Sequence, residues 1–350
     1  MKMINKISKN ENSTSLSLVK TTYTRYMITT VVLALIYVFL MFLVNQGIIG
    51  DYILRIMKQI GIFLIAALGL NLILGFTGQF TMGHAAFMSI GAYGSAIMTK
   101  NFNMPFPIAL LVGIILAGIL AALIGYPILR LKGDYLAICT LGFGEIVKVV
   151  IQNVDYVGGA RGISGIPGST SFLIVLIGVA LCYAILKNLI HSSKGRAIMS
   201  IREDEIAAEA MGINSTKYKM IAFIIGSSMA GLAGGLYAHF NSFIDPASFA
   251  FSKSIELITY VVLGGMGSLS GTVIGTSILI YLPECLRGLS EVFKTYRILI
   301  YAVMLVLMMI FRPQGILGTR EITVDNIIKF FKKFGKNSTK NIVQDEKAGE

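Results

Sequence analysis

The residues with the widest chemical repertoire are few and scattered. His84, His191 and His239 are the three histidines of the chain, and each lies on a different segment. None belongs to an HExxH pair, and no serine sits in a GxSxG turn. An enzyme site needs its nucleophile, base and ligands within hydrogen-bond reach of one another, so this dispersal argues against an intramembrane enzyme. Cys139, Cys182 and Cys285 form no CxxC pair and no metal-ligand spacing; they read as three free thiols, with no metal site implied. The sequence has no GxxxxGK[ST] phosphate loop, since Gly335-Lys336 runs into Asn337 and lacks the preceding glycine. ATP chemistry is therefore not expected on this chain.

Three other groupings carry a physical signal. The first is a pair of glycine-rich interruptions in otherwise apolar sequence, at 75–83 and 264–271, one in each half of the chain. Paired breaks of this kind point to the central site of a transporter. Gly78, Gln79, Gly83, His84, Gly264, Gly265 and Gly267 are accordingly candidates for a translocation path. His84 follows the first break directly. An ionisable residue there is a functional candidate, although a histidine that bonds a backbone carbonyl and fixes a bend fits equally. The second grouping is Glu145 with Lys148 three residues on, a spacing at which helical side chains pair. Asp134, Glu145 and Gln152 recur at near-integral helical turns, so this face is expected to meet the bundle or a polar cavity rather than lipid. A structural ion pair and a path-lining role both remain open for Glu145.

The third grouping is the largest internal hydrophilic loop, 191–219. It contains a plausible short helix. Glu203, Asp204 and Glu205 stand near its start, where carboxylates complement the helix dipole. Ile206, Ala207, Ala210 and Met211 give a small apolar face, and Gly212 is placed to end the helix in a left-handed cap. Four acids, Glu203, Asp204, Glu205 and Glu209, disfavour an anionic lipid surface. A protein partner is the better reading, with Glu205, Ile206, Ala207, Glu209, Ala210, Met211 and Gly212 as the docking segment; a solvated loop is the plain alternative.

These segments must be positioned by membrane helices. Of 350 residues, 55% are hydrophobic and only 14% charged, against about 25% charged in a soluble domain, and the mean hydropathy is +0.75. A bilayer core of ~30 Å takes about 20 apolar residues in a helix. The predicted spans are 26–44, 58–75, 78–98, 105–129, 135–151, 171–190, 220–240, 254–266, 271–283 and 296–311. The fold class is thus an all-α integral membrane protein of about ten transmembrane helices. The spans 254–266 and 271–283 are short; they either gain flanking residues or fold as a re-entrant hairpin. With the N-terminus inside, 21 of the 30 lysines and arginines fall on the inner side, which puts both termini and the 191–219 loop in the cytoplasm. The net charge of +12 is then a matter of orientation and gives no reason to expect nucleic acid. Residues 1–25 read as a cytoplasmic tail, 26–318 as a polytopic membrane domain and 319–350 as a basic cytoplasmic tail. Small residues at four-residue spacing, Gly113/Ala117/Ala121/Gly125, Gly226/Ala230/Gly234/Ala238 and Gly267/Gly271/Gly275, predict close helix contacts.

Five sequence blocks, in order, resemble the LivM-type permease of branched-chain amino acid ABC transporters. They are GLNLILGFTGQFTMGHAAFMSIGAYGSA (69–96), LRLKGDYLAICTLGFGEIVKVV (129–150), GRAIMSIREDEIAAEAMGINSTKYKMIAF (195–223), VVLGGMGSLSGTVIG (261–275) and FRPQGILG (311–318). Glu209-Ala210 followed by Gly212 is similar to a diverged EAA-type coupling loop of ABC importers. The resemblance implies a permease subunit in a bacterial-type cytoplasmic membrane. It implies a homologous LivH-like permease as partner, two ABC ATPase subunits that carry the ATP, and an extracytoplasmic solute-binding protein. It implies leucine, isoleucine and valine as substrates, with urea or other amides as the alternative within the family. An ion-coupled secondary transporter, for which Glu145 is the main candidate coupling residue, is the rival outside it.

Overall fold

The computed structural model describes residues 50–131 and 133–287, together with 302, 303, 306, 310, 311 and 315–318. The predicted span 26–44, most of 296–311 and both tails lie outside the described residues. The chain divides at Met57/Lys58. Of the first unit, Gly50–Met57 are described, and they open the first helix. All that follows concerns the unit from Lys58 onward.

The described residues form helices α1 (Asp51–Asn71), α2 (His84–Lys100), α3 (Phe106–Ile128), α4 (Asp134–Asn153), α5 (Phe172–His191), α6 (Ser193–Glu203), α7 (Glu205–Ala210), α8 (Ser215–Asn241), α9 (Phe251–Gly264) and α10 (Leu269–Arg287). A π-helical turn, Leu72–Phe76, continues α1. Among the described residues, four helices are long and apolar enough to cross a membrane: α1 with its π-turn, α3, α5 and α8. One face of α3 (Ile108, Leu111, Ile115, Ile119, Leu123) and one of α5 (Leu173, Ile177, Leu181, Ile185) are exposed and apolar. Such faces need a non-aqueous surround or a partner.

The small-residue rows decide how the helices meet. On α3, Gly113, Ala117, Ala121 and Gly125 are all buried, as are Gly226, Ala230, Gly234 and Ala238 on α8. A Cβ added at Gly231 would lie 2.6 Å from the Ala117 Cβ, one at Gly113 would lie 2.7 Å from the Gly91 carbonyl oxygen, and one at Gly226 would lie 2.5 Å from the Gly69 carbonyl oxygen. Helix α8 thus packs closely on α1 and α3, α3 on α2, and a Cβ on Gly91 of α2 would run into the Gly231 carbonyl of α8. With little hydrophobic force available between helices in lipid, close contact of this type is what holds a bundle together. The third row divides. Gly271 and Gly275 pack α10 on Gly264 of α9, whereas Gly267 belongs to the turn between them, at φ +81°.

At one end of the bundle a short antiparallel pair joins Ile163–Ser164 to Phe243–Ile244, and Lys100 Nζ donates to the Ser164 carbonyl at 2.8 Å. At the opposite end lie the first glycine break, the α9–α10 turn and the start of α7.

One expectation is corrected, and one left open is narrowed. The predicted span 78–98 is helical only from His84; residues 77–83 are irregular. Gly78 sits at φ +74°, a left-handed conformation that interrupts a helix, and Gly83 lies too close to the Thr140 carbonyl of α4 to carry a side chain. The predicted spans 254–266 and 271–283 become a 14-residue α9 and a 19-residue α10. At 1.5 Å per residue these measure about 21 and 28 Å, so α10 gains length from flanking residues while α9 stays short.

Candidate functional site

The first break enters the bundle rather than skirting its end. α1 ends in the π-turn, where Thr77 N donates to the Leu72 carbonyl at 3.1 Å and Gln79 N to the Ile73 carbonyl at 3.0 Å. The chain then doubles back, so that His84 Nε2 lies 3.1 Å from the Ala66 carbonyl oxygen. Ala66 is nine residues before Gly75, roughly 14 Å along the helix axis, so α2 begins well inside the bundle. Its first turn is satisfied by side chains from elsewhere: Met82 N donates to Thr140 Oγ1 and Ala85 N to Ser254 Oγ, both at 3.0 Å. His84 is 1% exposed and tied to a backbone carbonyl, the bend-fixing arrangement that its position allowed. Gln79 is also buried, and among the described residues neither polar atom of its side chain has a hydrogen-bond partner.

The second break meets the first. Gly264, Gly265 and Gly267 are buried, with Gly265 at φ +123° and Gly267 at φ +81°. Asn71, fully buried at the end of α1, donates from Nδ2 to the Ser268 carbonyl (3.0 Å) and to Thr272 Oγ1 (2.7 Å), and its Oδ1 accepts from Gly267 N (2.9 Å). A buried amide or carbonyl without such a partner costs about 1–3 kcal/mol, so Asn71 is a strong fastener between segments almost 200 residues apart. Residues 315–318 close over the same turn: Ile316 N donates to the Leu263 carbonyl at 2.8 Å, and Gly315 leaves no room for a Cβ beside Gly265 N.

Glu145 and Lys148 form the expected ion pair at 3.0 Å, the carboxylate side chain 40% exposed. Both lie on α4, most of whose surface is open; Leu136, Ala137 and Thr140 are its buried positions. The same helix meets the first break one turn earlier, where Thr140 Oγ1 accepts from Met82 N, and a Cβ on Gly144 would lie 3.8 Å from Gly83 Cα.

The 191–219 loop is more ordered than its hydrophilicity suggests. It opens with α6, which sequence reading missed. Ser192 caps α6 by accepting from Gly195 N at 3.2 Å, and Gly195, Ile198 and Ile201 form its buried face. The signal was there in the serine cap and in the three-residue spacing of the two isoleucines. The expected docking helix then follows as α7. Asp204 is its N-cap, with Oδ1 accepting from Ile206 N (2.9 Å) and Ala207 N (3.0 Å). It is shorter than expected: Met211 is the C-cap and Gly212, at φ +83°, the left-handed stop. Glu205 pairs with Lys219 at 2.6 Å, and Glu209 accepts a short hydrogen bond from Ser215, so both acids brace α7 on α8. Ala208 alone is buried. Ile206 is 76% and Met211 83% exposed, and Ala207, Ala210 and Gly212 are exposed beside them. The surface offered is small, apolar and rigidly held.

Between α7 and the first break lies a cavity of about 290 Å³ whose lining includes Gly78, Gln79, Leu136, Arg202, Glu205 and Lys219. Helix α7 and the first glycine break thus share one cavity.

Similarity to known proteins assigns this bundle to a family. Residues 52–309 match the family described as the branched-chain amino acid transport system permease component. The chain belongs to this permease family. The high-affinity branched-chain amino acid transport system permease protein LivM of Escherichia coli K12 is 35% identical over 291 residues, covering 73% of this chain and 68% of that protein. A probable LivM of Methanocaldococcus jannaschii is 26% identical over 335 residues, covering 78% and 95%. The permease LivH of Salmonella typhimurium is 26% identical over 292 residues, covering 74% and 92%. The likeness to both LivM and LivH makes this a multi-pass membrane permease of the branched-chain type. Sequence reading found the family, the breaks and a short helix before Gly212. It did not find Asn71, Thr140, Ser254 or Arg202, the side chains that tie those parts together.

Proposed function

We propose that this chain is the membrane-spanning permease subunit of an ABC importer that moves branched-chain amino acids inward across the cytoplasmic membrane. The observation that carries the reading is α7: a capped helix with Ile206, Ala207, Ala210 and Met211 turned outward, on a chain whose relatives are named as branched-chain amino acid permeases. A cytoplasmic ATPase subunit is the partner that such a helix serves. The sequence carries no phosphate loop, so ATP binds and is hydrolysed on two separate subunits, and no cofactor belongs to this chain. The full architecture is about ten membrane helices with both termini cytoplasmic. A LivH-like permease completes the pathway, with Gly78, Gln79, Gly83, His84, Glu145 and the turn Gly264–Gly267 as the candidate path residues of this half. An extracytoplasmic solute-binding protein delivers the substrate and sets much of the selectivity.

Cells lacking this chain are expected to lose uptake of labelled leucine at low external concentration and to regain it on complementation. Isoleucine and valine should compete for that uptake, and urea should not. Uptake of urea in place of leucine would move the substrate to the amide branch of the family. Leucine uptake unaffected by the deletion would refute the assignment.

A further inference from the structure

Arg202 is the last arginine of α6 and stands two residues before Asp204, the cap of α7. It does not turn away from the bundle. Its Nη1 donates to the Gly75 carbonyl at 2.8 Å, in the π-turn that ends α1. The last carbonyls of a helix have no partner within it, and a cation there also complements the helix dipole. The same nitrogen reaches the second break, because a Cβ built on Gly267 would lie 2.5 Å from it. The stem lies along the first break, since a Cβ on Gly78 would lie 3.3 Å from Arg202 Cγ. One side chain, 29% exposed and also 3.4 Å from Glu203, therefore touches both glycine breaks while its backbone leads directly into α7.

We propose that Arg202 is the positioning residue that carries movement of α7 into the two glycine breaks. The inference rests on reading α7 as the ATPase-docking element and adds the route by which docking is felt inside the bundle. A displaced α7 pulls α6 by its shared residue Asp204. The guanidinium then moves the Gly75 carbonyl, and Asn71, four residues earlier on α1, passes the shift to Gly267 and Ser268 through its three hydrogen bonds. Glycines at φ +74°, +123° and +81° flank the contact and supply backbone that can rotate. The braces Glu205–Lys219 and Glu209–Ser215 hold α7 to the base of α8, so movement at one end of this lever is delivered at the other.

The test is hydrogen exchange on the assembled transporter in nanodiscs, comprising this chain, its partner permease and the ATPase subunits, first without nucleotide and then trapped with ATP and vanadate. In the wild type, trapping should change exchange by about threefold or more both in 193–210 and in 72–80. In Arg202→Met the change in 193–210 should persist and that in 72–80 should vanish, and leucine imported per ATP hydrolysed should fall about tenfold or more. Arg202→Lys keeps a donor for the Gly75 carbonyl and should recover part of both signals. It is also the variant to read if the methionine protein does not assemble. A purely structural arginine would leave the nucleotide-dependent change in 72–80 in place; that result, or an unchanged ratio of import to hydrolysis, would overturn the proposal. A wild-type transporter with no nucleotide-dependent change in 193–210 would instead overturn the docking reading, and the relay with it.

Discussion

Replacing Ala210 with tryptophan, or Gly212 with valine, is expected to abolish uptake while leaving the amount of membrane-inserted protein within about twofold of wild type, because exposed substitutions usually cost within ~0.5 kcal/mol. Ala210 is exposed on α7 and touches nothing whose loss would unfold the chain. On the proposed reading α7 seats in a partner's cleft that accepts only small side chains, and an indole there would block it. Gly212 acts differently. A side chain at Gly212 meets no atom within 4 Å, so no clash arises. The difficulty is its φ of +83°, a region that a β-branched residue occupies only under strain. Valine therefore unwinds the stop of α7 and misplaces Met211, the most exposed apolar side chain of the helix. If α7 seats as a binding hot spot, loss of ~2 kcal/mol there reduces productive docking about 30-fold. Uptake normalised to inserted protein is the measurement. Near-normal uptake in both variants would mean that α7 docks on nothing.

The second large effect is expected in the bundle itself. Gly231→Val would drive a branched side chain into the Ala117 Cβ, 2.6 Å from the new Cβ, with the Gly113 carbonyl oxygen at 3.1 Å. Overpacking a well-fitted core costs about 1–3 kcal/mol where side chains can move. Here the obstacles are a methyl on a helix and a backbone oxygen, so α3 and α8 must separate. In lipid, little besides this contact drives the two together. Monodisperse protein after size exclusion in mild detergent should fall about tenfold or more, as several kcal/mol of lost packing would require. Gly142→Ala is the control: no atom lies within 4 Å of a Cβ at Gly142, and its yield should match wild type. Equal yields of the valine variant and wild type would contradict the close α3–α8 contact.

What was legible in the sequence is what repeats or stands out locally. Gly113, Ala117, Ala121 and Gly125 announce a buried stripe because four-residue spacing returns to one helix face, and the structure buries all four. Gly212 announces a left-handed stop because few other residues tolerate it. The glycine-rich stretches announce interruptions because a helix gains nothing from them. What was not legible depends on who meets whom. Asn71 is one polar residue in an apolar run, and nothing near it in sequence names Gly267, Ser268 or Thr272 as its partners. Arg202 looked like one more inner-side cation, yet it is spent on a carbonyl 127 residues away. Helix α6 was hidden because hydropathy marks long apolar runs, and eleven residues with a three-residue buried face make none. The two breaks were expected at a central site. The structure joins them at one end, while the first break alone reaches inward to His84.

On the proposed reading this permease works on ATP held by other subunits and moves a branched-chain amino acid. The most direct test of that reading is uptake into proteoliposomes holding the assembled transporter, with ATP and magnesium enclosed and labelled leucine and the solute-binding protein outside. Leucine should accumulate only when ATP is enclosed, and accumulation should survive ionophores that collapse every ion gradient. Accumulation without ATP, driven by a sodium or proton gradient and lost with the ionophore, would contradict it.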